Sequence, residues 1–214
     1  MISGKRAFDV VISTIAFAIV SPLLLLIALA ILVEDGTPVI FRQRRIGKGG
    51  SLFWIYKFRK LKHRPHESAP LVVTPEDERY TTIGRFLDAS KLNELPQLLN
   101  IMKGDMSLVG PRPEIPEFFH CYHGAYRNLL RYPPGIFGPS QTVFRNETEM
   151  YPVGIDKSRF YEVSLFKKKA ELDLQYYCRA TLASDLYWVV RSLMAVVSEW
   201  SQERPAVRAD WHMN

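Results

Sequence analysis

Arg112 lies between Pro111 and Pro113, which makes it the side chain whose local sequence most clearly prepares it for chemistry. Each proline fixes its own φ and biases the preceding residue toward extended backbone, so the guanidinium projects from a stiff stretch and not from a helix face. A planar, permanently charged fork held this way suits a phosphate group. His120, Cys121 and His123 form a second compact group, but no further cluster completes a tetrahedral set, so a metal site is not expected there. His63 and His66 fall in a proline-bearing loop and read as solvated side chains. Cys121 and Cys178 are the only cysteines and lack C-x-x-C spacing. That predicts neither a disulfide framework nor a zinc ribbon, and points to a reducing compartment.

These side chains need a scaffold, and 214 residues with 47% hydrophobic content suffice for one compact domain plus one membrane element. The run Val10 to Val33 is apolar except at Ser13, Thr14 and the pair Ser21-Pro22. A helix over this run reaches roughly 36 Å, against a hydrocarbon core of about 30 Å. Pro22 predicts a bend near its middle. Lys5 and Arg6 precede the run, and Arg42, Arg44, Arg45 and Lys48 follow it. The positive-inside tendency places both flanks on the cytoplasmic face, which favours a re-entrant helix kinked at Ser21 and Pro22 over a straight crossing. A cleaved signal peptide fits less well, because the apolar run continues past Ala28-Leu29-Ala30.

Residues 1–64 hold 11 Lys/Arg against 3 Asp/Glu, and the remainder holds 17 against 19. A basic surplus beside a membrane element suits anionic lipid or phosphate near the bilayer, and nucleic acid is not an expected partner. Beyond Gly36 the pattern predicts a β-hairpin-like element from Val39 to Gln43 and Leu52 to Phe58, turning at Gly47 to Gly50. Two short helices are expected between Thr82 and Met102, meeting near residues 88–93, with Pro96 in a first turn. Lys167 to Trp200 reads as mostly helical. Leu182, Leu186, Val189, Leu193 and Val197 form a face expected to pack on the domain, with Asp185 and Arg191 opposite. Trp188 and Trp200 also suit a membrane interface. The expected fold class is α/β, mostly α with a short β-hairpin-like element. The expected division is a membrane helix over 1–36, a catalytic domain over 37–205 and a tail over 206–214.

The stretch Leu92-Asn93-Glu94-Leu95-Pro96-Gln97-Leu98-Leu99-Asn100 leads through Lys103-Gly104-Asp105-Met106-Ser107-Leu108-Val109-Gly110 into Pro111-Arg112-Pro113. Before it stand Lys5-Arg6, Phe8-Asp9, Ser21-Pro22, Phe41-Arg42-Gln43 with Arg45 and Gly47, and Tyr56-Lys57-Phe58-Arg59. Asp77 with Arg79 and Thr81, and Gly84-Arg85-Phe86-Leu87, come next; Pro134-Gly135, Gly138, Gln141, Leu172-Asp173 and Tyr176 follow later. In this order the motifs resemble the bacterial sugar transferase family, the monotopic phosphoglycosyl transferases, over nearly the whole chain. The resemblance implies a small membrane-associated catalytic domain with a re-entrant N-terminal helix and amphipathic interfacial helices. It would face the cytoplasm at the bacterial inner membrane. The implied reaction transfers a sugar 1-phosphate from a nucleotide-sugar donor to polyprenyl phosphate in assembly of exopolysaccharide, capsule or O-antigen. Magnesium would offset the diphosphate charge, and homo-oligomers are compatible with the resemblance.

In the family an adjacent Asp-Glu pair does the chemistry, the aspartate attacking the sugar-linked phosphate to give a phosphosugar-aspartate. This chain has Asn93 at the aspartate position. Its neutral amide is a poor nucleophile and a weaker ligand for a hard cation than carboxylate. Glu94 is kept, as catalytic group and magnesium ligand. Five residues before Asn93, Asp88 stands where the family usually has a phosphate-binding arginine. The resemblance assigns Glu94, Asn93 and Asp88 to the catalytic centre. It assigns Lys57, Arg59, Asp77, Arg79, Gln97, Arg112, Pro113 and Gln141 to substrate binding, with Lys57 suited to a lipid phosphate. The two departures turn the expectation toward direct transfer without a covalent intermediate, with Glu94 or Asp88 as general base or metal ligand. The alternatives are transfer of the sugar alone on the same fold, a non-catalytic nucleotide-sugar or lipid-binding partner, and an introduced substitution at Asn93. For Arg59, Asp77 and Arg79 the competing reading is a structural ion pair, and for Gln97 and Gln141 a helix cap or water bridge.

Overall fold

The computed structural model describes residues 4–62, 77–152 and 154–201. His63, His66 and the expected tail 206–214 lie outside the described residues. The elements are α1 (Lys5–Asp35), β1 (Ile40–Ile46), β2 (Leu52–Phe58), α2 (Thr82–Ser90), α3 (Leu98–Lys103) and β3 (Ser107–Val109). They continue with β4 (Gly135–Phe137), α4 (Pro139–Val143), α5 (Lys157–Phe160), α6 (Phe166–Tyr177) and α7 (Leu182–Ser201). The chain is mostly helical with two small sheets, β1 and β2 antiparallel, β3 and β4 parallel. The hairpin is longer than its sequence signal, because β1 continues to Ile46, which is buried.

The helix α1 passes unbroken through Ser21 and Pro22. Pro22 has no N–H to give the carbonyl of Ala18 four residues back. The Ser21 hydroxyl donates to that same carbonyl at 2.9 Å, so the Ser-Pro pair replaces the bond that proline removes, and the helix continues through the position of the expected kink.

Both ends of α1 are fastened to one body. At its start Lys5 meets Asp9 at 3.0 Å and Asp185 of α7 at 2.8 Å, and Asp9 accepts from the Ser107 hydroxyl of β3 at 2.7 Å. The Arg6 guanidinium donates to the carbonyls of Ile101 and Met102 at the end of α3. At the far end Asp35 accepts from Arg59 at 2.6 Å, and Glu34 accepts from the Thr82 amide that opens α2. Ile27 and Ile31 pack with Phe58 and Leu87 in a small core of their own. Val11, Ile15, Ile19, Leu25, Leu26 and Leu29 remain exposed along the helix, an apolar strip too large to be an ordinary solvated surface.

The α7 helix departs from the expected orientation at Asp185, Leu186 and Leu193, while Val189 packs and Arg191 is exposed as expected. Asp185, expected outward, is 1% exposed and ion-paired to Lys5, whereas Leu186 and Leu193 are about half exposed. The physical reason is the buried ammonium of Lys5, which requires a carboxylate on the packed side. Trp188 and Val189 still pack against the main core of Phe53, Ile55, Ile101, Met106, Leu108 and Leu165.

Gly84 fixes how α2 docks. A Cβ there would fall 1.9 Å from the carbonyl oxygen of Lys60, a distance no packing tolerates. Gly84→Ala is therefore expected to lower stability by about 1–3 kcal/mol, the usual range for forced overpacking. Thermal unfolding in detergent measures it, and an unchanged midpoint would refute the docking geometry.

Candidate active site

β2 and the segment leading into α3 bring the central charges together. In β2 the side chains alternate, so Phe58 enters the core and Lys57 points the other way. The short helical turns Leu92–Gln97 place Glu94 opposite it, and Lys57 Nζ meets Glu94 Oε1 at 2.8 Å. Arg112 Nη2 reaches the same oxygen at 3.6 Å.

The backbone around Arg112 is held from several sides, as the two prolines predict. The amide of Gly110 donates to Phe137, and that of Gly135 donates to Pro111. Arg45 Nη1 donates to the Pro113 carbonyl at 3.0 Å. Gln141 Nε2 donates to the Gly110 carbonyl at 2.8 Å. A Cβ on Gly135 would lie 2.0 Å from the Gly110 nitrogen, so β3 and β4 approach this closely only because both positions are glycine.

The charges respond to one another. Burial alone would raise the Glu94 carboxyl, but Lys57, Arg112 and Lys91 outweigh it and hold it well below the carboxylate range. Burial lowers the Lys57 ammonium to about 8, with Glu94 opposing and Arg112 and Arg45 assisting. A carboxylate so strongly acidified is a poor proton acceptor at neutral pH and a good holder of cations. Asp88 accepts from the Tyr80 hydroxyl at 2.6 Å and from Lys60 at 2.9 Å. Against its burial, Lys60 and Lys91 keep it ionised. Lys91 closes α2 in the left-handed region, φ 60°. Asn93 is 3% exposed, and its Oδ1 has no hydrogen-bond partner.

Lys57, Lys60, Asp88, Lys91, Asn93, Glu94 and Arg112 line one cavity of about 1130 Å³. Of the residues singled out from sequence, Lys57, Arg59, Arg79, Asp88, Asn93, Glu94, Arg112 and Gln141 line it. Asp77, Gln97 and Pro113 lie outside that lining. Asp77 grips Arg79 through both carboxylate oxygens, and this pairing takes its carboxyl to about 2. Gln97 is buried with Nε2 unpartnered. Arg59 binds Asp35 and the carbonyls of Asp35 and Gly36, so it clamps the end of α1.

Sequence reasoning missed Lys60, Lys91, Glu114, Glu147 and Lys169. Glu114 accepts from the Tyr161 hydroxyl, and Lys169 bonds that hydroxyl and Glu147, each at 2.9 Å. Lys169 carried a signal. It shares the buried stripe of Phe166, Ala170, Asp173 and Tyr177 on α6, and a cation on a core stripe demands a buried partner.

The sequence pattern of the bacterial sugar transferases matches residues 2–199. The chain belongs to the bacterial sugar transferase family. It is 36% identical over 200 residues to a UDP-glucose:undecaprenyl-phosphate glucose-1-phosphate transferase of Caulobacter vibrioides, covering 91% of this chain and 70% of that one. A UDP-N-acetylgalactosamine-undecaprenyl-phosphate N-acetylgalactosaminephosphotransferase of Aeromonas hydrophila is 33% identical over 91% of this chain, which spans only 44% of it. The exopolysaccharide production protein ExoY of Rhizobium meliloti is 32% identical, with 90% and 85% covered. By homology this sugar transferase is an enzyme of the phosphoglycosyl (sugar-1-phosphate) class.

The family is consistent with a metal-dependent transferase, but the side chains here fit magnesium poorly. Among the described residues no three His, Cys, Asp or Glu side chains cluster to hold a metal. Glu94 and Asp88 are each already bonded to a lysine ammonium, and Asn93 offers a neutral oxygen where a hard cation prefers charge.

Proposed function

We propose that this transferase moves a sugar 1-phosphate from a UDP-sugar to undecaprenyl phosphate at a membrane surface, in bacterial polysaccharide assembly. The observation that carries this reading is the convergence of Lys57 and Arg112 on Glu94 inside a cavity bordered by α7 and by Pro38, three residues beyond α1. Such paired cations suit a diphosphate donor and a phosphate acceptor meeting in one place.

The acceptor route is direct. A lipid phosphate oxygen attacks the phosphorus bonded to the sugar oxygen, the anhydride bond breaks, and UMP departs with the bonding electrons. Asn93 supports this route, since its amide cannot take the nucleophile's part. Glu94 acts as a positioning residue that fixes Lys57 and Arg112, because its lowered basicity suits it poorly to accept a proton. Arg112 and Lys57 neutralise charge on the transferred phosphoryl group and on leaving UMP.

The membrane placement follows from the fastening of α1. A helix whose Lys5 and Asp35 ends both bond to one water-soluble body supports both ends lying on one face, with the apolar strip immersed. The cytoplasmic face of the inner membrane fits the basic flanks.

The test supplies UDP-sugars with and without undecaprenyl phosphate and identifies the nucleotide released. UMP appearing only with lipid is the expected result. UDP would mean transfer of the sugar alone, and no release across a broad donor panel would mean a binding protein.

A further inference from the structure

We propose that this chain holds its donor diphosphate with side-chain cations alone, without a divalent metal in the complex. This rests on the UDP-sugar reading above and goes beyond it, because that reading gives two cations to the phosphates without deciding whether a metal joins them.

Eleven Lys/Arg side chains line the cavity against four carboxylates, Asp88, Glu94, Glu114 and Glu147. Arg59 and Arg79 pair with Asp35 and Asp77, which stand outside the lining. With Arg145 also set aside, eight cations against four carboxylates remain. A dication brought into this lining is repelled, whereas a diphosphate is attracted.

Nor is there a carboxylate to receive the metal. Magnesium bound with substrate phosphates usually keeps one or two protein carboxylates. Glu94 is the carboxylate next to Asn93, and one of its oxygens already faces Lys57 at 2.8 Å and Arg112 at 3.6 Å. A metal taken by its other oxygen would stand close to that ammonium and guanidinium, in a lining already rich in cations. Asp88 is bonded to Lys60 and to the Tyr80 hydroxyl. Glu114 and Glu147 share Lys169. Every carboxylate of the cavity therefore has a cation, while the lining keeps a surplus of cations for phosphate.

Asn93 fits the same scheme. Its unpartnered Oδ1 is a single neutral acceptor, buried at 3% exposure. A carboxylate there would add an anion beside Glu94 and create an acidic pair able to attract a dication. The amide withholds it.

The experiment measures UDP binding to the full-length chain in nanodiscs by titration calorimetry, once with EDTA and once with excess magnesium. The affinity in EDTA is expected to equal that in magnesium within about threefold, a small difference on the affinity scale. In parallel, adding protein to Mn2+ and UDP should raise the electron paramagnetic resonance signal of free Mn2+ as UDP is withdrawn from the metal, and a fall in that signal overturns the inference. Binding that weakens about tenfold or more in EDTA and returns with magnesium overturns the inference and leaves the donor reading intact. Failure to bind UDP or any UDP-sugar in either buffer overturns both.

Discussion

Asn93→Asp is expected to convert a chain that forms no covalent intermediate into one that does. Incubated with its UDP-sugar and no lipid, the natural chain should release no UMP above background. The variant should release about one equivalent per chain in a burst and gain the mass of one sugar phosphate, the signature of nucleophilic catalysis by a carboxylate. The structure makes the substitution favourable in two respects. Asn93 and Asp are nearly the same size, and the Asn93 Oδ1 has no hydrogen bond to lose. The new carboxylate would also stand beside Glu94, in reach of the field of Lys57, Arg112 and Lys91, which already keeps Glu94 ionised despite burial. Its oxygen would attack the phosphorus bonded to the sugar oxygen as the bond to UMP breaks. If neither the burst nor the mass gain appears while UDP still binds, Asn93 is not in line with the donor, and the direct route loses its chief support.

Much of this arrangement was legible in the residues, and the failures share a cause. The Pro-Arg-Pro stretch, the hairpin and the break between two short helices before Asn93 follow from local rules on proline, alternation and turn residues. Those rules act over a few positions, so a single sequence suffices. Two features, the inward face of Asp185 and the clamp formed by Arg59, needed partners distant in the chain. Asp185 faces inward because Lys5, at the other end of the chain, is buried against it. Helical periodicity alone assigns the α7 core face to its leucines. Pro22 does not end α1, because the preceding serine takes up the orphaned carbonyl, a local compensation that a rule about proline alone overlooks. Arg59 lines the cavity and also clamps Asp35, 24 positions earlier, as its ion-pair reading expects.

The departure at Asp88 also acquires a physical reading from the structure. An anion in place of a phosphate-binding arginine looks adverse beside a diphosphate. Lys60 and Lys91 stand against it, however, and the Tyr80 hydroxyl takes its second oxygen. The cluster leaves the cavity lining with a positive excess, so the site tolerates the substitution without losing its attraction for phosphate.

Lys57 is the residue whose loss should cost the reaction most. Lys57→Met removes a preorganised ammonium from the transferred phosphate and should lower kcat/KM by about 100- to 1000-fold, the usual effect of deleting one such electrostatic donor. Arg112 remains beside Glu94, so the carboxylate is not left without a cation and the fold should survive, which an unchanged chromatographic profile and melting curve would verify. Acid-base behaviour supplies a sharper test. The free ammonium loses its proton near pH 8, and only the charged form attracts phosphate. The value of kcat/KM, which reports the free enzyme, should therefore fall as pH rises past about 8. Lys57→Arg keeps the charge but cannot lose the proton in that range. Its activity is expected to be reduced by its altered geometry, and its alkaline limb should move upward or vanish. An arginine variant that falls off at the same pH as the natural chain would show that another group titrates, and would remove Lys57 from contact with the donor.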